Sequence, residues 1–197
     1  MTTLKYSWIA AVALAMAACK STPEAPPAEA AGIIADRLMA GDTNGAEDLF
    51  DDIEDSDEHR EITFTVLYEH AQGRYETRDY KSAVVILQFL VEHYPRARAP
   101  KEALLYAYML DRARDGVKPD EEVLEQMDRL SDQLRRKDAP VWIELVSAQT
   151  AADKEDWAEA RAHLSSFQKR WDGNPVTLRA YTVEIDRYVA TNEGGSR

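Results

Sequence analysis

Apolar residues recur at helical spacing over most of the chain, with polar residues between them. The clearest segment is residues 65–95, TVLYEHAQGRYETRDYKSAVVILQFLVEHYP, which ends in Pro95. Positions i, i+3, i+7 and i+10 of its second half are Tyr80, Ala83, Leu87 and Leu90. That spacing places four side chains on one face of an α-helix, and proline ends the helix because it lacks a backbone N–H. The segment predicts two antiparallel helices joined by a tight turn.

The same pattern occurs four times along the chain. Its first positions are residues 43, 80, 120 and 157, which are separated by 37, 40 and 37 residues. The other three copies consist of Thr43, Ala46, Phe50 and Ile53, of Asp120, Val123, Met127 and Leu130, and of Trp157, Ala160, Leu164 and Phe167. A partner helix is predicted before each copy, at about residues 28–40, 63–75, 100–114 and 140–152. Internal periods of this length are typical of helical arrays.

One further amphipathic helix is predicted after Pro175, and it has no partner behind it. Its apolar face carries Leu178, Tyr181, Ile185 and Tyr188. A terminal helix of this kind covers the exposed end of a stack. The sequence therefore predicts an all-α fold of about four stacked helix hairpins, an α-solenoid, with a C-terminal capping helix.

Composition narrows the functional classes. The chain has 197 residues, of which 45% are hydrophobic, so one domain with a real core is expected. The formal net charge of −12 argues against nucleic acid as a partner, because phosphates demand a basic face.

The N-terminus has the features of an export signal. Lys5 precedes an uncharged apolar stretch, residues 8–18, that is too short to span a bilayer as a mature helix. The end of this stretch and the residue after it, Met16-Ala17-Ala18-Cys19, resemble the bacterial lipobox. The resemblance implies that residues 1–18 are a signal peptide and that Cys19 is lipidated and becomes the first mature residue, with a mature side-chain charge of −13. The alternative is an ordinary secreted protein with an unpaired thiol, since Cys19 is the only cysteine.

The segments that follow Cys19 are predicted from composition. Residues 19–29 are the lipidated cysteine and a tether rich in proline and alanine, residues 30–192 the repeat domain, and residues 193–197 a polar tail. Lysine rather than aspartate at position 20 corresponds to the general bacterial sorting pattern for the outer membrane. We expect a protein anchored by lipid in the outer membrane and facing the periplasm, with the inner membrane as the alternative.

The repeat resembles the tetratricopeptide repeat. In the second unit the matching residues are Ala71, Ala83, Leu87, Leu90 and Pro95, and in the fourth they are Ala148, Ala160, Leu164 and Phe167. Over residues 79–109, DYKSAVVILQFLVEHYPRARAPKEALLYAYM, the chain is similar to YfiO/BamD-type lipoproteins of outer-membrane β-barrel assembly, and also to CpoB/YbgF-type periplasmic repeat proteins. The assembly lipoproteins usually carry five repeats, whereas four pairs are predicted here.

The repeat resemblance also implies a binding groove. Stacked hairpins curve, and the first helices of successive units line the concave side. The groove positions map to Thr65, Tyr68, Gln72 and Tyr75 in the second unit, Leu105 and Met109 in the third, and Trp142, Leu145 and Gln149 in the fourth. Aromatic rings flanked by amides suit an extended peptide of another envelope protein. The alternative is that Tyr68 and Trp142 pack between neighbouring units.

The sequence offers no set of catalytic residues. Its four histidines, His59, His70, His93 and His163, form no metal-binding motif, and no phosphate-binding glycine loop or nucleophile motif is present. The acidic run at residues 47–58 lacks the glycine and ligand spacing of a calcium loop. We interpret it as the solvated face of one helix, with Leu49, Phe50 and Ile53 turned inward and residues 54–58 frayed.

Two functions follow as hypotheses. The first is a non-enzymatic, lipid-anchored scaffold that holds other envelope proteins at the site of outer-membrane protein assembly. It needs no cofactor, metal or small-molecule substrate, and it contacts the membrane through Cys19. The second is a CpoB/YbgF-like periplasmic protein that coordinates peptidoglycan or division machinery.

Overall fold

The computed structural model describes residues 26–53, 56–135, 139–173 and 178–193. Every regular element in these ranges is an α-helix, which confirms the predicted all-α class. The helices are α1 (Pro27–Met39), α2 (Thr43–Asp51), α3 (Asp57–Glu76), α4 (Tyr80–His93), α5 (Arg98–Asp115), α6 (Glu121–Leu134), α7 (Trp142–Asp153), α8 (Trp157–Arg170) and α9 (Leu178–Glu193). The predicted signal peptide, the lipidated Cys19, most of the tether and residues 194–197 lie outside the described residues.

Neighbours in sequence are mostly neighbours in space. From α3 to α8 each helix packs against the next, and α1 packs against α2. The α1–α2 hairpin joins the rest through α1, which contacts both α3 and α4. Helix α7 also contacts α5, and α9 packs against α7 and α8. The result is a row of helix hairpins with α9 against the last of them.

The ends of the helices lie at two opposite edges of this row. Helices α1, α3, α5 and α7 begin at one edge, which we call the first edge, and end at the other, which we call the second edge. At the first edge the Tyr94 hydroxyl donates to the carbonyl of Arg60 at 3.0 Å, which joins the end of α4 to the start of α3. At the second edge the Arg114 guanidinium donates to the carbonyl of Arg78 at 2.7 Å. The chain therefore enters the domain at the first edge.

Three hairpin corners share one backbone conformation. The middle residue of each is left-handed: φ is 80° at Gly41, 61° at Arg78 and 64° at Glu155. An aspartate follows in each case and caps the second helix by accepting from the N–H three residues later, at distances of 3.0, 3.4 and 3.0 Å. These aspartates are Asp42, Asp79 and Asp156. Because the same short corner recurs, the hairpins on either side of it share one geometry.

The corner between α5 and α6 is longer than the other three. Gly116 ends α5 in a left-handed conformation with φ of 66°, and four further residues precede α6. Asp120 caps α6 by accepting from the N–H of Val123 at 2.9 Å.

The repeated apolar positions form the core. In α4 the side chains of Ala83, Leu87 and Leu90 are at most 1% exposed, and in α8 those of Ala160, Leu164 and Phe167 are also buried. Alanine lets the adjoining helix approach, and each fully buried leucine contributes roughly 2 kcal/mol of apolar burial. The spacing seen in the sequence therefore specifies the contacts between helices.

The interpretation of the acidic run as one helix face is wrong. Helix α2 ends at Asp51, and α3 begins at Asp57 behind a cap in which the Ser56 hydroxyl accepts from the N–H of His59 at 3.2 Å. Asp57 and Glu58 therefore lie in the first turn of α3, where negative charge offsets the helix dipole. Glu54 and Asp55 lie outside the described residues. The apolar members Leu49, Phe50 and Ile53 are half-buried against the core, as predicted.

Candidate functional site

Four aromatic side chains from three helices lie along one face of the row. Tyr68 and Tyr75 come from α3, Tyr106 from α5 and Trp142 from α7, and all four are half-buried. The ring centroids of Tyr75 and Tyr106 are 6.1 Å apart, and those of Tyr106 and Trp142 are 5.0 Å apart at 69°. We call these residues the aromatic strip and the surface that carries them the inner face. The strip lies across the boundaries between hairpins.

A small apolar cavity of about 150 Å³ lies at one end of the strip. It is lined by Tyr68, Ala71, Gln72, Tyr75, Leu87, Ala103 and Tyr106. The cavity has the size of one apolar side chain rather than of a cofactor, because ligand pockets usually measure about 300–1,000 Å³. It can therefore hold a single residue of a partner.

The tyrosine hydroxyls of the strip are protonated at neutral pH and can donate hydrogen bonds. Burial raises the pKa of Tyr75, and the neighbouring phenols of Tyr106, Tyr80 and Tyr181 raise it further. Burial also raises the pKa of Tyr106, and the neighbouring phenol of Tyr80 raises it further. Burial likewise raises the pKa of Tyr68, although a hydrogen bond from Gln72 opposes the shift.

A second cleft of about 380 Å³ continues the inner face between α5, α7 and α9. Its lining residues include Arg112, Ala113, Gln149, Tyr181, Ile185 and Tyr188. Gln149 is only 7% exposed, and its side chain lines this cleft together with charged and polar residues, which are Arg112, Glu184, Arg187, Thr191 and Asn192. Gln149 can therefore offer its amide to one polar group of a partner.

A buried ion pair holds one wall of the second cleft. The Arg112 guanidinium donates two hydrogen bonds to the Asp153 carboxylate, both at 3.1 Å, and Asp153 is 1% exposed. The ring of Tyr188 lies 5.6 Å from the guanidinium carbon. The hydrogen bonds that Arg112 donates to Asp153 raise the pKa of Arg112. This ion pair joins α5 to α7, and the Tyr188 ring joins the same group to α9.

The predicted groove residues divide into accessible and buried sets. Thr65 and Gln72 are exposed, Tyr68, Tyr75 and Trp142 are half-buried in the strip, and Gln149 lies in the second cleft. Leu105, Met109 and Leu145 are fully buried, so they support the inner face from beneath and do not line its surface. In α5 the residue on the inner face is Tyr106, one position after the predicted Leu105.

Both interpretations of the aromatic residues apply in part. The rings do pack between neighbouring hairpins, as the Tyr106–Trp142 contact illustrates. They also keep exposed surface, because none of the four is fully buried. An aromatic ring in this position stabilises the stack and remains available to a partner.

Three residues of this surface, Tyr106, Tyr181 and Tyr188, were not predicted from the sequence as part of it. Tyr181 and Tyr188 appear in the sequence as apolar positions of a capping helix, so their contribution to a cleft depends on where α9 packs. The spacing of Glu102 and Tyr106 could have indicated Tyr106. Residues four apart lie on the same side of a helix, and the polar Glu102 marks that side of α5 as accessible to solvent.

Two of the four histidines, His93 and His163, join neighbouring helices. His163 Nδ1 lies 2.8 Å from Glu144 Oε2, and Arg170 donates to the other oxygen of Glu144 at 3.0 Å, which joins α7 to α8. His93 Nε2 lies 3.0 Å from the carboxylate of Glu47 and joins α4 to α2. Within the described ranges no group of three potential metal-binding side chains occurs, and no helix is long and apolar enough to cross a membrane.

The chain was compared with protein-family models, curated proteins and solved structures, and none of the three comparisons gave a match.

Proposed function

We propose that this chain is a lipid-anchored, non-enzymatic scaffold of the bacterial cell envelope that binds an extended segment of another envelope protein on its inner face. The observation that carries the proposal is the aromatic strip, which stays half exposed beside a cavity the size of one side chain. Its tyrosine hydroxyls and the buried amide of Gln149 supply hydrogen-bonding groups along the same surface.

The fold underlying the proposal is a tetratricopeptide-like solenoid. Three features support it: the recurring corner with a capping aspartate, the buried alanines of α4 and α8, and the packing of α7 on both helices of the preceding hairpin. The α1–α2 hairpin departs from the repeat, because α1 instead of α2 makes the main contact with the next hairpin. We therefore assign the regular repeat to α3–α8.

An extended peptide fits the inner face better than a compact ligand. The strip spans three helices from different hairpins, so its contact area is long and narrow. Aromatic rings supply much of the binding free energy at protein interfaces, and amide side chains can bond a peptide backbone that has no partner strand. The two clefts lie at separate places along the same face, which suits side chains projecting at intervals from one segment.

The membrane attachment rests on the lipobox of the sequence. Lipidation of Cys19 and its sorting to the outer membrane make the scaffold periplasmic, and the partner is then another envelope protein. Co-isolation with β-barrel assembly components supports the first of the two hypotheses, and co-isolation with peptidoglycan enzymes supports the CpoB/YbgF-like alternative.

The test is a pair of truncations on the strip. We expect the Tyr68→Ala/Trp142→Ala double variant to lose at least tenfold in partner recovery after affinity purification, because each ring of such an interface contributes about 1–2 kcal/mol. Circular dichroism checks that helicity is kept. Val117→Ala is the control, since Val117 is 68% exposed at the second edge and away from the strip. Equal recovery with the double variant and the control would contradict the proposal.

A further inference from the structure

We propose that the first edge of the domain binds an anionic lipid surface through a cationic cleft formed by Arg96, Arg98 and Lys101. The proposal rests on the lipid anchor of the proposed function, and it assigns the orientation that the anchored domain takes at the membrane. It concerns a different surface from the inner face.

The cleft lies between the start of α5 and the end of α6 and measures about 380 Å³. The described residues that line it are Arg96, Ala97, Arg98, Lys101, Gln133 and Leu134, which include three cations and no carboxylate. The floor is apolar, since Leu134 is 2% exposed. A concave site with this lining suits a phosphate group next to a hydrocarbon boundary.

The three cations are only partly neutralised within the domain. Arg96 is exposed and has no ion pair among the described residues. Lys101 Nζ donates to the amide oxygen of Gln133, a neutral group, at 2.8 Å. Arg98 pairs with Glu102 at 2.6 Å and is engaged further within the chain, so the uncompensated charge of the cleft is that of Arg96 and Lys101. Positive charge therefore remains at this cleft on a chain whose formal net charge is −12.

The charges of the first edge are distributed unevenly. Arg135, at the end of α6, extends the cationic part and is paired with Asp132 at 3.6 Å. Four cations of the α4–α6 side, Arg96, Arg98, Lys101 and Arg135, are accompanied by Glu92, Glu102 and Asp132, whereas the end of α2 and the first turn of α3 carry Asp51, Asp52, Asp57 and Glu58. An anionic surface therefore attracts the α4–α6 side of the edge and repels the α2–α3 side.

The length of the chain before α1 brings this edge to the membrane. Seven residue steps separate Cys19 from Pro26, and seven extended residues span at most about 25 Å. Because the chain enters α1 at the first edge, that edge is the part of the domain held within this distance of the lipid. A basic residue near an anionic membrane strengthens binding by roughly fivefold, and Arg96 and Lys101 act together here. The covalent tether and the charges thus favour the same orientation.

The test uses the complete lipidated protein and a single introduced thiol. Cys19 is the only cysteine, so after lipidation Ala99→Cys at the first edge or Val117→Cys at the second edge carries the only label. Each labelled protein is placed in vesicles of phosphatidylcholine, or of phosphatidylcholine with phosphatidylglycerol, that carry a headgroup quencher. We expect quenching at residue 99 to be about twofold stronger in the anionic vesicles and to fall in high salt. Quenching at residue 117 should be equal in both kinds of vesicle.

Charge variants identify the residues responsible. Arg96→Gln/Lys101→Gln should abolish the lipid-dependent difference at residue 99. The matched control, Lys81→Gln/Lys118→Gln, removes the same amount of positive charge at the second edge. This control should keep the difference in quenching at residue 99 between the two kinds of vesicle. Equal quenching at residue 99 in both vesicles overturns the proposal. The proposal is also overturned if polyglutamate alone shields the label at residue 99 from the quencher, because the cleft would then bind an acidic polypeptide.

Failure of the anchor gives a different result. If Cys19 reacts with the dye in the otherwise unaltered protein, the lipidation is refuted. Flotation of that protein with phosphatidylglycerol vesicles but not with phosphatidylcholine vesicles would then still support the cationic cleft, and failure to float with either would overturn it.

Discussion

The Tyr75 hydroxyl lies where several tyrosine rings of the inner face approach one another. Its ring is 5.6 Å from that of Tyr80 and 6.1 Å from that of Tyr106. Burial and the neighbouring phenols raise its pKa above that of a tyrosine in the unfolded chain, so the folded protein holds this proton more tightly. The resulting stabilisation is fully present below about pH 10 and is lost as the pH rises through the folded pKa, because the unfolded chain ionises first.

This linkage predicts the behaviour of Tyr75→Phe in alkali. The wild-type free energy of unfolding should fall more steeply above about pH 10 than that of the variant, which has no phenol to ionise at this position. Urea unfolding at a series of pH values measures the difference, and absorbance of tyrosinate at 295 nm follows the ionisation. Identical pH dependence in the two proteins would show that the Tyr75 phenol is not held protonated by the fold.

A second residue-scale feature is the left-handed backbone at two non-glycine corners. Glu155 has φ of 64°, a conformation that is unfavourable by about 1–2 kcal/mol for a residue with a Cβ atom. Gly41 occupies the equivalent position of the first corner without that strain. We predict that Glu155→Gly raises the free energy of unfolding by about 1 kcal/mol and the midpoint temperature by about 2–4 °C.

Thermal unfolding followed by circular dichroism checks this prediction. Glu155→Ala is the control, because it removes the same carboxylate but keeps the Cβ atom. A stability gain shared by both variants would mean that the side chain, rather than the backbone conformation, is responsible.

At the scale of one element, the capping aspartates determine where the second helices begin. Asp156 accepts from the N–H of Glu159 at 3.0 Å and so satisfies one of the free donors of the first turn of α8. We predict that Asp156→Ala lowers the free energy of unfolding by about 1 kcal/mol, and that Asp156→Asn loses much less because asparagine is an equally good cap. Asp186→Ala, on the exposed surface of α9, is a control without a capping role. Equal losses in Asp156→Ala and Asp156→Asn would point to charge rather than to capping.

The same caps explain how much of the fold could be predicted from the sequence. Helices α2, α4, α6 and α8 begin within one residue of the predicted positions, because each start combines an aspartate with an apolar repeat. The start of α3 could not be predicted in this way. Ser56 lies inside an acidic run, so its capping role is hidden by charges that suit either a helix face or a loop.

The inner face was predictable only where aromatic residues mark it. Tyr68, Tyr75 and Trp142 were identified from their spacing, and all three lie in the strip. In α5 apolar residues occur on several sides of the helix, so periodicity did not distinguish the buried Leu105 from the half-buried Tyr106. Which residue faces the surface is decided by contacts with α4 and α7, which are long-range and leave no local pattern.

At the scale of the whole molecule, the proposed interactions use two separate surfaces. The inner face is built by first helices side by side, whereas the cationic cleft lies at the ends of α5 and α6 on the first edge. A domain held to lipid by its first edge keeps the inner face free for a partner. The relative placement of the two surfaces depends on the hairpins being rigidly joined.

The Arg112–Asp153 ion pair is one such join, because it connects α5 to α7 in the interior. Removing one partner leaves the other charge buried, which is unfavourable by about 3–5 kcal/mol. We predict a loss of this size for Arg112→Met in urea unfolding. The double variant Arg112→Met/Asp153→Leu should recover most of it, since apolar residues of similar size can replace a buried ion pair. If the double variant is as unstable as the single one, neutralising the buried charge is not sufficient. The hydrogen-bond geometry of the pair would then hold the hairpins together.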